Sequence, residues 1–219
     1  MTKKQKANEV LRHLKDRYPV AECALHWQKE PWRLLVMGRL SAQCTDARVN
    51  IVCEDLFARY PTPRALADAP LSDIEAVIRP CGLFRTKAES LKAACTMLCD
   101  EFGGELPSDM EALLRFPGVG RKIANLLRGD VFGLGGIVAD THCIRIASRL
   151  GLTARGEKDP LRTERALAPL IDPEEQSDFC HRIVMFGREV CTARSPHCEC
   201  CPLTALCAEY KRNNKRKEE

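Results

Sequence analysis

The chain has 219 residues, a formal net charge of +4, 45% hydrophobic but only 5% aromatic residues, and 13 cysteines. That length buries a core as one or two domains without help from disulfides. No apolar run approaches the roughly 18 residues of a membrane-spanning helix, and Met1 to Lys6 leads into polar sequence rather than an export signal. The expected setting is the cytoplasm, where thirteen cysteines read as reduced thiols or metal ligands.

The excess charge belongs to the two ends. Lys3, Lys4 and Lys6 at the front and Lys211, Arg212, Lys215, Arg216 and Lys217 at the back are 8 of the 34 basic residues, while those ends hold only Glu218 and Glu219 of the 30 acids; residues 7–210 keep 26 basic against 28 acidic. Nucleic-acid binding must therefore be argued from placed charges and backbone donors, since net charge speaks only to solubility and non-specific association.

The pattern is helical almost throughout and predicts an all-α fold. Ser72 with Glu75, and Ser108 with Glu111, each fit a capping box. Between them, Ala88, Leu91, Ala94, Cys95, Leu98, Cys99 and Phe102 form a stripe at helical spacing. Residues 108–128 read as helix, tight turn and helix: proline stops the first helix, and Gly118 and Gly120 allow positive φ values in a hairpin whose amides can approach an anion. Arg121 and Lys122 fall in the first turn of the second helix, where the macrodipole repels cations. That repulsion favours a neutral, nucleophilic Lys122, an ionised carboxylate nearby would oppose it, and position alone better suits a lysine that binds phosphate or faces solvent.

Further along, Gly136-Ile137-Val138-Ala139 is too short to found a sheet, and Asp140 stands where a helix N-cap is expected. A carboxylate held by backbone amides stays ionised, so capping and catalysis are compatible. Asp172-Pro173 marks another helix start. Cys191, Cys198, Cys201 and Cys207 have the spacing C-x6-C-x2-C-x5-C, with Cys200 left over; four thiolates so close suit a tetrahedral zinc or an iron–sulfur cluster, and spacing does not choose. The other eight cysteines read as packing residues, and Lys211 to Lys217 as a disordered basic tail.

With Leu40-Ser41-Ala42-Gln43-Cys44-Thr45-Asp46, Gly82-Leu83-Phe84-Arg85-Thr86-Lys87-Ala88, the run Phe116 to Ala124, Asp140-Thr141-His142 and the cysteine spacing, the chain resembles the endonuclease III family of helix-hairpin-helix DNA glycosylases over about residues 8–210. The resemblance implies a six-helix domain over 24–135 carrying the hairpin, a [4Fe-4S] domain made of 1–23 and 136–211 with Cys191, Cys198, Cys201 and Cys207 as ligands, a basic tail over 212–219, and an active site in the cleft between the domains. It also implies a monomeric bifunctional glycosylase and abasic-site lyase, with no membrane partner, acting on double-stranded DNA that contains damaged bases, oxidised pyrimidines first, or abasic sites. Lys122 then matches the Schiff-base nucleophile and Asp140 the catalytic aspartate. Gln43 and Leu83 match residues that fill the gap left by a flipped base, Gly118, Val119, Gly120 and Arg121 the phosphate-binding hairpin, and His142 a cleft position.

Arg39, where the family usually has an apolar residue, and the glycine-rich 127–139 segment with Arg128 and Asp130 depart from the pattern and bear on base preference. An adenine-glycosylase relative would lack the hairpin lysine and carry a glutamate before its glutamine motif, whereas Lys122 is present and residues 31–45 contain no Glu. A non-catalytic iron–sulfur DNA binder is the other alternative, and it requires Lys122 and Asp140 to be idle.

Overall fold

The computed structural model describes residues 1–218, with side chains to Lys215. Among the described residues there are helices and turns and no strand, as the periodicity predicts. The α-helices are α1 (Lys3–Arg17), α2 (Pro31–Leu40), α3 (Asp46–Arg59), α4 (Pro63–Asp68), α5 (Leu71–Ile78), α6 (Phe84–Phe102), α7 (Met110–Leu114), α8 (Arg121–Phe132), α9 (Thr141–Leu150), α10 (Pro160–Leu167), α11 (Gln176–Glu189) and α12 (Ala208–Glu218). They divide into two units, Cys23–Phe132 and, separately, Met1–Glu22 with the chain from Gly133 onward.

In the Cys23–Phe132 unit, α2 is buried on nearly every side through Trp32, Leu34, Leu35, Val36, Met37 and Leu40. A helix apolar all round belongs inside, and α3, α6 and α8 pack on it. Gly38 sets the approach of α8, because a Cβ there would stand 3.3 Å from Ile123 Cγ2. The stripe expected over 85–102 is the buried face of α6, with Ala88, Leu91, Ala94, Cys95 and Leu98 in the core and α4 and α5 packed against the helix.

The second unit joins the N-terminal helix to the later ones. Ala7, Val10 and Leu14 of α1 share a core with Ile146, Leu150, Phe179, Ile183 and Phe186. Polar ties reinforce it: buried Arg182 donates from Nε to the Tyr18 carbonyl at 3.0 Å, and Tyr18 Oη donates to Glu189 at 2.5 Å while Arg17 pairs with the same carboxylate at 2.6 Å. Helix α9 lies against α11 at Gly187, where a Cβ would stand 2.7 Å from His142 Cδ2.

Several local expectations need correction. Ser72 lies inside α5, whose N-cap is Pro70 without a side-chain cap; a proline-led entry displaces the hydroxyl. The cap of α7 is Asp109, one residue beyond Ser108, with its carboxylate accepting from the Ala112 amide at 2.9 Å. Either residue type can cap, and the charged one also complements the helix dipole. Asp172-Pro173 starts a 3₁₀ turn that leads into α11, with no side-chain cap. Of the two hairpin glycines only Gly118 has positive φ, +79°. The basic tail is helical from Ala208 to Glu218 rather than disordered, since it holds no Gly or Pro and is rich in lysine, arginine and glutamate, which are good helix formers; its expected last residue, 219, lies outside the described residues.

Candidate functional site

The hairpin is built around a tight turn. Pro117 and Gly118 occupy its two central positions, and the Val119 amide donates to the Phe116 carbonyl at 3.0 Å, the signature of a type II turn with glycine at the left-handed place. Phe116 and Val119 are buried and anchor the turn. Gly118 is required twice over, by its φ and because a Cβ there would lie 2.4 Å from Arg39 Nε. Arg39, the departure noted in the sequence, thus supports the turn from beneath, and its Nε donates to Ser90 Oγ at 2.8 Å. The amide of Val119 is consumed by the turn, whereas among the described residues the exposed Gly118 and Gly120 amides have no backbone acceptor. Helix α8 begins at once, with Arg121 and Lys122 both exposed in its first turn. Arg128, another of the unusual residues, ties α8 back to the hairpin's entrance by donating to the Ser108 carbonyl at 2.9 Å.

Asp140 is the N-cap of α9, as expected. Oδ1 accepts from the Cys143 amide at 2.7 Å and Oδ2 lies 2.8 Å from His142 Nδ1. The side chain is 14% exposed, so the carboxylate is fixed in direction yet open to solvent. His142 is held in turn by packing over Gly187.

Besides Gln28 (φ 55°) and Lys29 (φ 61°), two further corners of the Cys23–Phe132 unit have unusual backbone. Gln43 (φ 55°) and Leu83 (φ 49°) are non-glycine residues in the left-handed region, a conformation that costs roughly 1–2 kcal/mol per residue. Both side chains project outward; Leu83 is 60% exposed, so it is not a core leucine. Lys87, which sequence reasoning left aside, lies behind both corners. It is fully buried, and its Nζ donates to the carbonyls of Leu40 and Ala42 at 2.8 Å each and of Cys81 at 2.9 Å. Burial pulls its pKa below the ordinary lysine value. Its signals in the sequence are its place in the Gly82–Ala88 run and a lysine adjoining an apolar stripe, which ordinarily means a solvated flank.

Cys191, Cys198, Cys201 and Cys207 line one cavity with Leu203, Phe186 and Val190, and Cys200 does not join them; Cys200 is exposed. Arg149 Nη1 approaches Cys191 Sγ at 3.4 Å, the Tyr210 amide approaches Cys207 Sγ at 3.5 Å, and Cys207 Sγ lies 3.4 Å from the Arg149 carbonyl. Burial pushes the Cys201 thiol up to about 11. The loop after Cys191 hangs from α9: Arg145 donates to the Cys191 carbonyl at 3.0 Å, and Arg149 to those of Thr192 at 2.7 Å and Ala193 at 2.9 Å.

A helix-hairpin-helix repair protein is the class that these elements define. The sequence profile of HhH-GPD superfamily base excision DNA repair proteins matches residues 36–173. Endonuclease III of Synechocystis is 47% identical over 207 residues, 94% of this chain and 93% of the relative. Among solved structures, a non-covalent endonuclease III–DNA complex superposes with a TM-score of 0.90 at 41% identity, over 98% of this chain and 100% of that one. A trapped endonuclease III–DNA covalent intermediate with an estranged adenine gives 0.90 at 42%, with the same coverage. The chain belongs to the endonuclease III family. It is accordingly a DNA glycosylase and abasic-site lyase of base excision repair.

Proposed function

We propose that Lys122 is the nucleophile and Asp140 the catalytic carboxylate of this activity, acting on double-stranded DNA with oxidised pyrimidines as the preferred damaged bases. Lys122 Nζ attacks the anomeric carbon of the flipped-out nucleotide, the N–C bond forms as the glycosidic bond breaks, and the base departs. Opening of the sugar ring gives an iminium, which acidifies the neighbouring C2′ proton; its loss expels the 3′ phosphate by β-elimination. Asp140 stabilises the positive charge that develops on the sugar as the base leaves. Gly118, Val119, Gly120 and Arg121 form the phosphate-facing turn, with Gly118 and Gly120 supplying the amides at the start of α8. Gln43 and Leu83 fill the space left in the duplex, and His142 orients Asp140.

The observation that carries the assignment is the pairing of an exposed Lys122, in the first turn of a helix that follows Gly120 directly, with the family's own trapped covalent DNA intermediate. Borohydride is expected to trap this protein on DNA containing an abasic site, and Lys122→Ala to abolish the adduct. Intact DNA binding without trapping in the unmodified protein would refute the lyase assignment.

The four converging cysteines fit a [4Fe-4S] cluster, which when bound supplies a rigid cross-link for the loop after α11. The expected protein is brown; Cys201→Ser should lose the broad visible absorption and Cys200→Ser keep it. Colourless protein with stoichiometric zinc would contradict the cluster.

A further inference from the structure

We propose that Lys87 is a positioning residue for base extrusion: its buried ammonium fastens the Gln43 and Leu83 corners into one rigid element that enters the duplex as a unit. The proposal rests on the gap-filling reading of Gln43 and Leu83 given above.

An ammonium has three donors and no acceptor, and all three of Lys87's go to main-chain carbonyls. Those carbonyls come from two segments far apart in sequence. Leu40 ends α2 and Ala42 immediately precedes Gln43, while Cys81 immediately precedes Gly82 and Leu83. The Lys87 amide, moreover, donates to the Leu83 carbonyl at 3.0 Å. One residue therefore holds the approach to both left-handed corners. Burying a charge is expensive, and an apolar residue would fill this core position more cheaply; what only an ammonium provides is a three-way junction between backbones. The negative end of α2 at Leu40 favours a cation there. Strained non-glycine conformations persist only where their surroundings over-determine them, and here the same group supplies that constraint at both places. A wedge and an amide that must displace a base together need a fixed separation, and the Lys87 junction sets it.

The test compares a duplex carrying one oxidised thymine opposite 2-aminopurine with a single strand carrying an abasic site, where there is no partner base to replace. Lys87→Met should lower duplex excision by about tenfold or more and weaken the 2-aminopurine signal, while borohydride trapping on the single strand stays within about twofold. In the Lys87→Met background, Gln43→Ala and Leu83→Ala should cause much smaller further losses than they do alone. Lys87→Arg keeps the charge but not the geometry and should fall between; if Lys87→Met does not fold, Lys87→Arg is read by the same ratio. Equal losses on both substrates, or fully additive losses, would overturn the proposal. If Gln43→Ala and Leu83→Ala leave the duplex rate of the otherwise unmodified protein unchanged, the gap-filling reading is what fails, and this proposal falls with it.

Discussion

Two helix starts in this protein use the same physics in opposite ways. The first turn of any helix leaves amides unsatisfied and carries partial positive charge. At α9 the chain answers with its own anion: Asp140 accepts the Cys143 amide, and its second oxygen engages His142. At α8 a glycine occupies the corresponding place, nothing lies within 4 Å of where its Cβ would be, and two cations follow in the first turn. A capped start holds a carboxylate in one direction, and an open start leaves room for an anion that comes from outside. The contrast explains how a body with no net positive charge can address a polyanion, since the attraction lies in the exposed glycine backbone of the turn and a few placed side chains.

Exchanging the properties of the two starts tests this contrast. Asp140→Asn keeps a good N-cap but removes the charge, so base excision should fall by about two orders of magnitude or more while thermal stability barely moves. Loss of stability in step with activity would mean that Asp140 serves only as a cap. Asp140→Ala should add a destabilisation of about 1 kcal/mol on top of the catalytic loss. Installing an anion at the open start, Gly120→Asp, should weaken duplex affinity by about tenfold at low salt and change unfolding free energy by only a few tenths of a kcal/mol. Unchanged affinity would show that the turn does not meet phosphate.

The helices were legible because their stripes are: the α6 face follows directly from its spacing, and Asp140 announces its cap. Boundaries were less so, as Ser108 and Asp109 are both capping residues and only packing selects between them. The left-handed corners at Gln43 and Leu83 left no trace, because neither is a glycine and the constraint on them is tertiary. Lys87 was hidden for a similar reason. Its partners are carbonyls, which every residue has, so no letter in the sequence records the contact. The helical tail is hard to read because its dense charge suggests disorder while its lysine, arginine and glutamate favour a helix.

Helix α9 bears a consequence for how substitutions in this protein are interpreted. Arg145 and Arg149 would be picked from any charge map as polyanion contacts, yet their guanidinium groups already grip the carbonyls of residues 191–193, and Gly187 leaves the room that Arg145 and His142 occupy. In a mutational scan, inactive variants at Arg145, Arg149 and Gly187 would masquerade as binding defects. Their lesion is architectural, a cysteine loop and a carboxylate both hung from the same ten-residue rod.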